Sequence, residues 1–380
     1  MNVLVKKGRA CGTVKAPPSK SMAHRLLICS FLAGGGSVRG IEQSEDIKAT
    51  GACISALKSG GRLYCNESGS TLRFMIPICL LQDKEITLCG SERLLSRNLS
   101  VYEDICRKQG LTFKQTKDSV TVCGPLKSGS FCVPGDISSQ FISGLMFALP
   151  LLTGDSVINI TGRLESRSYL DLTVKALSDF GVKIDFFENE IRIKGNQTYL
   201  ARDTEVEGDY SNAAFFDALT VLGADVRVTG LDESSLQGDR IYKRYFEMLS
   251  EGTPTLDIGN CPDLAPILMA VAAAKNGCRL INTKRLKIKE SDRGAAMKEE
   301  LSKLGVAVEN LENEIIVGKC ENLKSAVLCG HNDHRIVMAL TVLCTLCGGR
   351  IEGAQAVAKS LPDFFDRIRE LGIEVMEYEA

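Results

Sequence analysis

Six helical segments in this chain are apolar on nearly every face, and each is introduced by a similar polar stretch. They read AHRLLICSFLA, STLRFMIPICLL, SSQFISGLMFALPLL, SNAAFFDALTVL, DLAPILMAVAAA and DHRIVMALTVLCTL. A helix without a polar face has to be surrounded by protein. Each is followed by a short strand (GSVRG, KEITLCG, DSVINITG, ADVRVTG, CRLINT or GRIEG), then by an amphipathic helix stopping at Gly60, Gly110, Gly181, Gly252, Gly305 or Gly372. Glycine at that place suits a left-handed helix cap. The repeat predicts an α/β protein of six units, each with one helix inside and one outside. For 380 residues, two domains of three units each is the natural division. The spacing is too long and too uneven for a solenoid.

Composition narrows the function classes. The formal net charge of -1 gives no basic field for nucleic acid. No stretch approaches the roughly 18 consecutive apolar residues of a membrane span, and MNVLVKKGRACGTVK lacks the apolar core of a signal peptide. A soluble, cytoplasmic protein is expected. The 15 cysteines are scattered through apolar runs, and the one close pair, Cys344 and Cys347, has no second pair nearby. With only 3 histidines in the chain, they read as small buried hydrophobes in a reducing compartment, and no metal is expected.

The six helix starts are SKSMAHR, ESGSTLR, GDISSQF, GDYSNAA, CPDLAP and HNDHR. Their Ser, Asp, Asn and Gly residues serve as N-caps, worth about 1 kcal/mol each. Capping does not account for Lys20, Arg25, Arg73, Gln140, His334 and Arg335. These side chains add charge or amide groups at helix ends that the macrodipole already makes positive. Such ends bind anions. Gathered on one face of each domain, they would make a cleft that traps phosphates or carboxylates.

Nine motifs occur in order: PPSKSMAHR, ESGSTLR, GSERLLSR, SSQF, ESRSYLD, CPDLAP, KIKESDR, NDHR and AKSLPDFF. On these the chain resembles the enolpyruvyl transferases along essentially its whole length, and within them the shikimate-pathway branch. The resemblance implies a two-domain fold, each domain an inside-out α/β barrel of three repeats around buried helices, with a cleft between domains that closes on the substrates. The domains would be 14–208 and 1–13 plus 209–380, the chain crossing near Gly12 to Ala16 and near Gly208. It implies transfer of the enolpyruvyl group of phosphoenolpyruvate to the 5-hydroxyl of shikimate 3-phosphate, with release of phosphate. It further implies small-molecule substrates only, no cofactor, no nucleic acid, no membrane and a monomer.

The same resemblance assigns residues. Lys20 would touch both substrates, and Ser21 and Arg25 the shikimate carboxylate. Ser138, Ser139, Ser166 and Tyr169 would hold the phosphate and sugar, with Gln140 against the ring and the donor. Gly69, Arg93, Arg293, Arg335 and Lys359 would hold phosphoenolpyruvate; planar guanidinium groups suit its carboxylate and phosphate. Asp263 would act at the attacking hydroxyl with Lys289 beside it. Glu290, with Lys20, would move protons at the methylene. Asp263 also has a simpler reading as the N-cap of the following helix, and Tyr169 as a packing aromatic.

Four positions depart from the commoner pattern: Glu67, Phe74, Ser168 and Arg285. They bear on the shape of the pockets. Gly69 is expected to leave room for glyphosate. Ser21 after Lys20, and no Cys in GSERLLSRN, separate the chain from the sister enzyme acting on a UDP-amino sugar. The absence of a glycine-rich phosphate loop disfavours an RNA 3′-phosphate cyclase. Asp263 and Glu290 disfavour a pure anion-binding protein. His24 is left between contact and packing.

Overall fold

The computed structural model describes residues 1–378. The chain divides into two compact units, one of Lys20–Val206 and one in which Met1–Ser19 joins the chain from Glu207 onward.

In the Lys20–Val206 unit the helices Lys20–Leu32, Gly69–Cys79 and Ser139–Ala148 are the apolar ones, and Glu45–Ser59, Ser100–Gln109 and Arg167–Asp179 are amphipathic. In the other unit Tyr210–Val221, Ala265–Ala274 and His334–Cys347 are apolar, while Tyr242–Glu251, Arg293–Lys303 and Phe364–Glu370 are amphipathic. Every residue from Ala265 to Ala273 is fully buried, as a helix with no polar face requires. Each unit has its own hydrophobic core.

Four repeats build the same four-stranded sheet. Two parallel strands are joined through the buried helix, and an antiparallel hairpin follows the amphipathic one. The spatial orders are Leu63–Tyr64, Ile86–Cys89, Ser119–Cys123, Thr112–Gln115; Ser130–Pro134, Ser156–Thr161, Glu190–Ile193, Ile184–Phe186; and Thr255–Asp257, Cys278–Ile281, Glu314–Val317, Val308–Asn310. In the fourth, Val327–Cys329, Gly349–Glu352, Asn2–Val5, Val375–Tyr378, the first strand of the chain completes the last repeat.

The other two repeats keep only a parallel pair, and they exchange strands. Cys11–Lys15, just before the Lys20 helix, pairs with Asp225–Thr229, which follows the Tyr210 helix. Thr204–Glu205, before the Tyr210 helix, pairs with Val38–Arg39, which follows the Lys20 helix. The exchange moves the expected boundaries. Residues 14–19 stay with the C-terminal unit because Val14 and Lys15 pair with Val228 and Thr229. Ser19 N–H then donates to the Glu207 carbonyl (2.8 Å) and Pro18 bridges Gly208, so 207 and 208 belong there too.

Local chemistry explains the tight places. Pro77 sits inside the Gly69–Cys79 helix, where it lacks the N–H that would bond the Arg73 carbonyl. The Tyr102 hydroxyl donates to that carbonyl instead, at 2.7 Å. Gly144 makes this possible, since a Cβ there would collide with both the hydroxyl and the carbonyl. Gly60 and Gly110 cap their helices in the left-handed region (φ 82° and 70°), whereas Gly252 is extended at φ -176°. There the chain runs through Thr253 and Pro254 directly into Thr255–Asp257. All 15 cysteines are free thiols, and 8 of them are buried.

Candidate active site

Charged and polar side chains collect at helix starts in each unit. In the Lys20–Val206 unit, Lys20 Nζ pairs with Asp46 at 2.8 Å, both side chains being largely buried. Arg25, one turn on from Ser21, donates to the Ser21 carbonyl, to Thr173 Oγ1 (2.8 Å) and to the Tyr169 carbonyl (2.9 Å). Burial brings its guanidinium down to about 10, still fully charged at neutral pH. Phe74 lies under it, 5.3 Å from ring centroid to Arg25 Cζ. That is a cation–π contact, and it gives this departure from the family pattern a packing role. Tyr169 thus meets Arg25 through its backbone.

Ser138 is the N-cap of its helix, its Oγ accepting from Gln140 N–H at 3.3 Å, and Ser139 opens the first turn. Gln140 ties two helix starts together: Nε2 donates to Ser70 Oγ (2.9 Å), and Oε1 accepts from Arg73 Nη1 (2.7 Å). Ser166, buried at the head of Arg167–Asp179, holds φ 56° and ψ 42°. A non-glycine residue in that region is uncommon and is concentrated at functional sites.

Gly69 is crowded by cations. A Cβ on it would lie 3.0 Å from Arg97 Nη1 and 3.3 Å from Arg73 Nη1. The expectation for Arg93 changes here. The short helix Glu92–Leu95 buries Leu94 and Leu95, which turns Arg93 out to an exposed position. The guanidinium that reaches Gly69 is that of Arg97, the second arginine of the same motif.

His24 is resolved as packing. Its Nδ1 meets Thr50 Oγ1 (2.7 Å), Thr50 meets Thr71 (2.7 Å), and Thr71 donates to Ser68 Oγ (2.7 Å). Burial first, then the charges of Lys20 and Arg25, hold its imidazole well below the usual range and therefore neutral. The chain of hydroxyls fixes the Ser68 cap that introduces Gly69.

In the other unit the centre is Arg293, 1% exposed. Its Nη1 donates to Asp263 (2.7 Å), Nη2 to Glu290 (2.7 Å) and Nε to Asp333 (2.8 Å). Asp263 also accepts from Lys289 (3.2 Å) and Arg335 (3.0 Å). Burial alone would raise the Asp263 carboxyl, but Arg335, Lys289 and Arg293 overturn that and hold it well below the carboxylate range. The N-cap position of the next helix is Leu264, so the cations, not a cap, occupy Asp263. Lys289 is lowered by its own burial, with Asp263 opposing and the charges of Arg293 and Arg285 assisting. Arg285, another departure from the family pattern, is buried beside them.

Asp333 joins both sides of this group. It caps His334–Cys347 through Arg335 N–H (3.0 Å) and accepts from Ser291 (3.1 Å) as well as Arg293. Lys359 Nζ donates to the Asn332 carbonyl at 2.7 Å. Asp46, Arg97, Ser291 and Asp333 were not singled out from sequence. Asp239 was missed too; it is buried, and burial followed by the charge of Asp263 pushes it up to about 7.

Solved structures that resemble this fold include enolpyruvyl transferases. An EPSP synthase from Acinetobacter baumannii superposes with a TM-score of 0.77 at 22% identity, over 99% of this chain and 100% of that one. The enolpyruvyl transferase NikO from Streptomyces tendae gives 0.80 at 13% identity, over 100% and 99%. Sequence narrows the class. The family model for EPSP synthase (3-phosphoshikimate 1-carboxyvinyltransferase) matches residues 58–368. A 3-phosphoshikimate 1-carboxyvinyltransferase of Clostridium kluyveri is 42% identical over 97% of both chains. One of Clostridium novyi is 40% identical over 98% of this chain and 97% of its own. The chain belongs to the EPSP synthase family.

Proposed function

We propose that the protein transfers the enolpyruvyl group of phosphoenolpyruvate to the 5-hydroxyl of shikimate 3-phosphate and releases phosphate. The observation that carries this reading is Asp263, a carboxylate kept ionised among three cations. Transfer, unlike binding alone, needs such an acceptor at the attacking hydroxyl.

Shikimate 3-phosphate is assigned to Lys20, Ser21 and Arg25 at its carboxylate and to Ser138, Ser139, Ser166 and Tyr169 at its phosphate and sugar. Phosphoenolpyruvate is assigned to Lys20, Gly69, Gln140, Arg293, Arg335 and Lys359, with Arg97 in the place expected for Arg93. Asp263 accepts the hydrogen bond of the 5-hydroxyl, aided by Lys289, while the hydroxyl oxygen bonds to the enol carbon and the methylene takes a proton. Lys20 and Glu290 serve that proton. Loss of a methyl proton then expels phosphate from the tetrahedral adduct.

A carboxylate with so low a pKa is a poor proton acceptor. The donor corrects this, because its own negative charges draw Arg335 away from Asp263 and raise its basicity. The enzyme acts as a monomer in the cytoplasm, a setting in keeping with 15 free thiols.

Phosphate release from phosphoenolpyruvate, with shikimate 3-phosphate, shikimate or a UDP-amino sugar as acceptor, tests the reading. Turnover with shikimate 3-phosphate alone is expected. Turnover only with the UDP-amino sugar would overturn it.

A further inference from the structure

Glu300 lies outside every assigned group, yet it is fully buried, with 0% exposure. One carboxylate oxygen meets His331 Nε2 at 2.7 Å, and the other accepts the Cys329 N–H at 2.9 Å. Lys303 Nζ is 2.9 Å from both oxygens. Glu299, Glu300 and His331 could by donor type hold a metal ion. The Lys303 ammonium already neutralises Glu300, so the group reads as a closed ion pair gripping a loop.

The loop is the one that enters the His334–Cys347 helix. His331 and Asn332 are consecutive non-glycine residues with φ 48° and 53°. L side chains avoid that region, so such a pair persists only where its surroundings hold it. Glu300 holds it from one side. On the other side the same loop presents the Asn332 carbonyl to Lys359 and Asp333 to Arg293 and Ser291. Arg293 and Glu300 are seven residues apart on one helix, which puts them on one face two turns apart. That helix therefore grips the loop twice, at Asp333 through Arg293 and at Cys329 and His331 through Glu300.

We infer that Glu300 is a positioning residue: by clamping the Cys329–His331 turn it sets where Lys359 and Arg335 meet phosphoenolpyruvate. The inference rests on the function proposed above. Steady-state phosphate release, varying each substrate in turn, tests it in wild type, Glu300→Gln, His331→Ala and the double variant, with melting temperatures recorded. The expected result is a KM for phosphoenolpyruvate raised about tenfold in each single variant, equivalent to ~1.4 kcal/mol. The KM for shikimate 3-phosphate should stay within about twofold, and the double variant should be no worse than the poorer single. His331 is part-exposed, so His331→Ala keeps the test available if Glu300→Gln folds poorly. Equal changes in both KM values, no change in either, or effects that multiply in the double variant would overturn the inference. A wild type with no phosphate release would instead overturn the proposed function, and this inference with it.

Discussion

Asp263→Asn separates chemistry from charge balance. The substitution keeps the shape and removes the negative charge that Lys289, Arg293 and Arg335 share. The amide has one acceptor oxygen and an NH2 that faces donors, so one of the three contacts is lost, while the other two keep charged donors on a neutral oxygen. A bond to a charged group is worth ~1.5–3 kcal/mol. Arg293 retains Asp333 and Glu290, and 19% of the Asp263 side chain reaches solvent, which places the loss near ~2 kcal/mol. For a unit of this size that is roughly 4–8 °C in Tm.

The kinetic effect should be larger. Loss of a positioned proton acceptor costs about 10²- to 10⁴-fold in kcat, equal to ~2.7–5.4 kcal/mol of barrier. Phosphate release measures this, and urea unfolding measures the stability term. The pH dependence carries a sign. The folded pKa of Asp263 is depressed, so its contribution is present above the unfolded carboxylate pKa and is lost as pH falls through the folded value. The stability difference between wild type and variant should therefore shrink toward zero in acid. A kcat within about fivefold of wild type, with the stability loss intact, would show that Asp263 only balances charge.

Three further outcomes follow from the geometry. Gly69→Ala brings a methyl group to 3.0 Å from Arg97 and 3.3 Å from Arg73, so KM for phosphoenolpyruvate should rise about tenfold and inhibition by glyphosate should weaken at least as much, read from initial rates. Tyr102→Phe removes the hydroxyl that donates to the Arg73 carbonyl; loss of a buried hydrogen bond costs ~0.5–1.5 kcal/mol, measured by denaturant unfolding. Lys20→Ala should abolish turnover and also destabilise the protein by ~1–2 kcal/mol, because the part-buried Asp46 loses its ion-pair partner; removing Asp46 as well should restore stability but not activity.

The six repeats were legible because a helix apolar all round admits one placement, and a polar start marks where each begins. The strand exchange was not legible. Thr204–Glu205 and Val38–Arg39 are two-residue strands paired across 166 positions, and no local pattern encodes a partner so distant. At the site, residue type was readable and facing was not: Arg93 and Arg97 share one motif, and only the burial of Leu94 and Leu95 decides which reaches Gly69. Asp46 escaped notice for a different reason. In sequence it is an ordinary acid in the first turn of an amphipathic helix, where acids are favoured anyway.

Asp46 changes the electrostatic argument built on the helix starts. Cations gathered at positive helix ends repel one another, a repulsion that bound anions would relieve. The folded chain already relieves it with its own carboxylates: Lys20 is held by Asp46, Arg335 by Asp263, and Arg293 by Asp263, Glu290 and Asp333. On the proposed assignment, substrate binding would be an exchange of anions rather than the filling of an empty positive site. The net gain per cation is the difference between two charge-assisted pairs, smaller than the ~1.5–3 kcal/mol of one pair alone. Counting cations therefore overstates affinity. What such an exchange would add is coupling, because a carboxylate released from its cation becomes more basic as the anionic donor arrives, and Asp263 is the one assigned to the hydroxyl that must give up its proton.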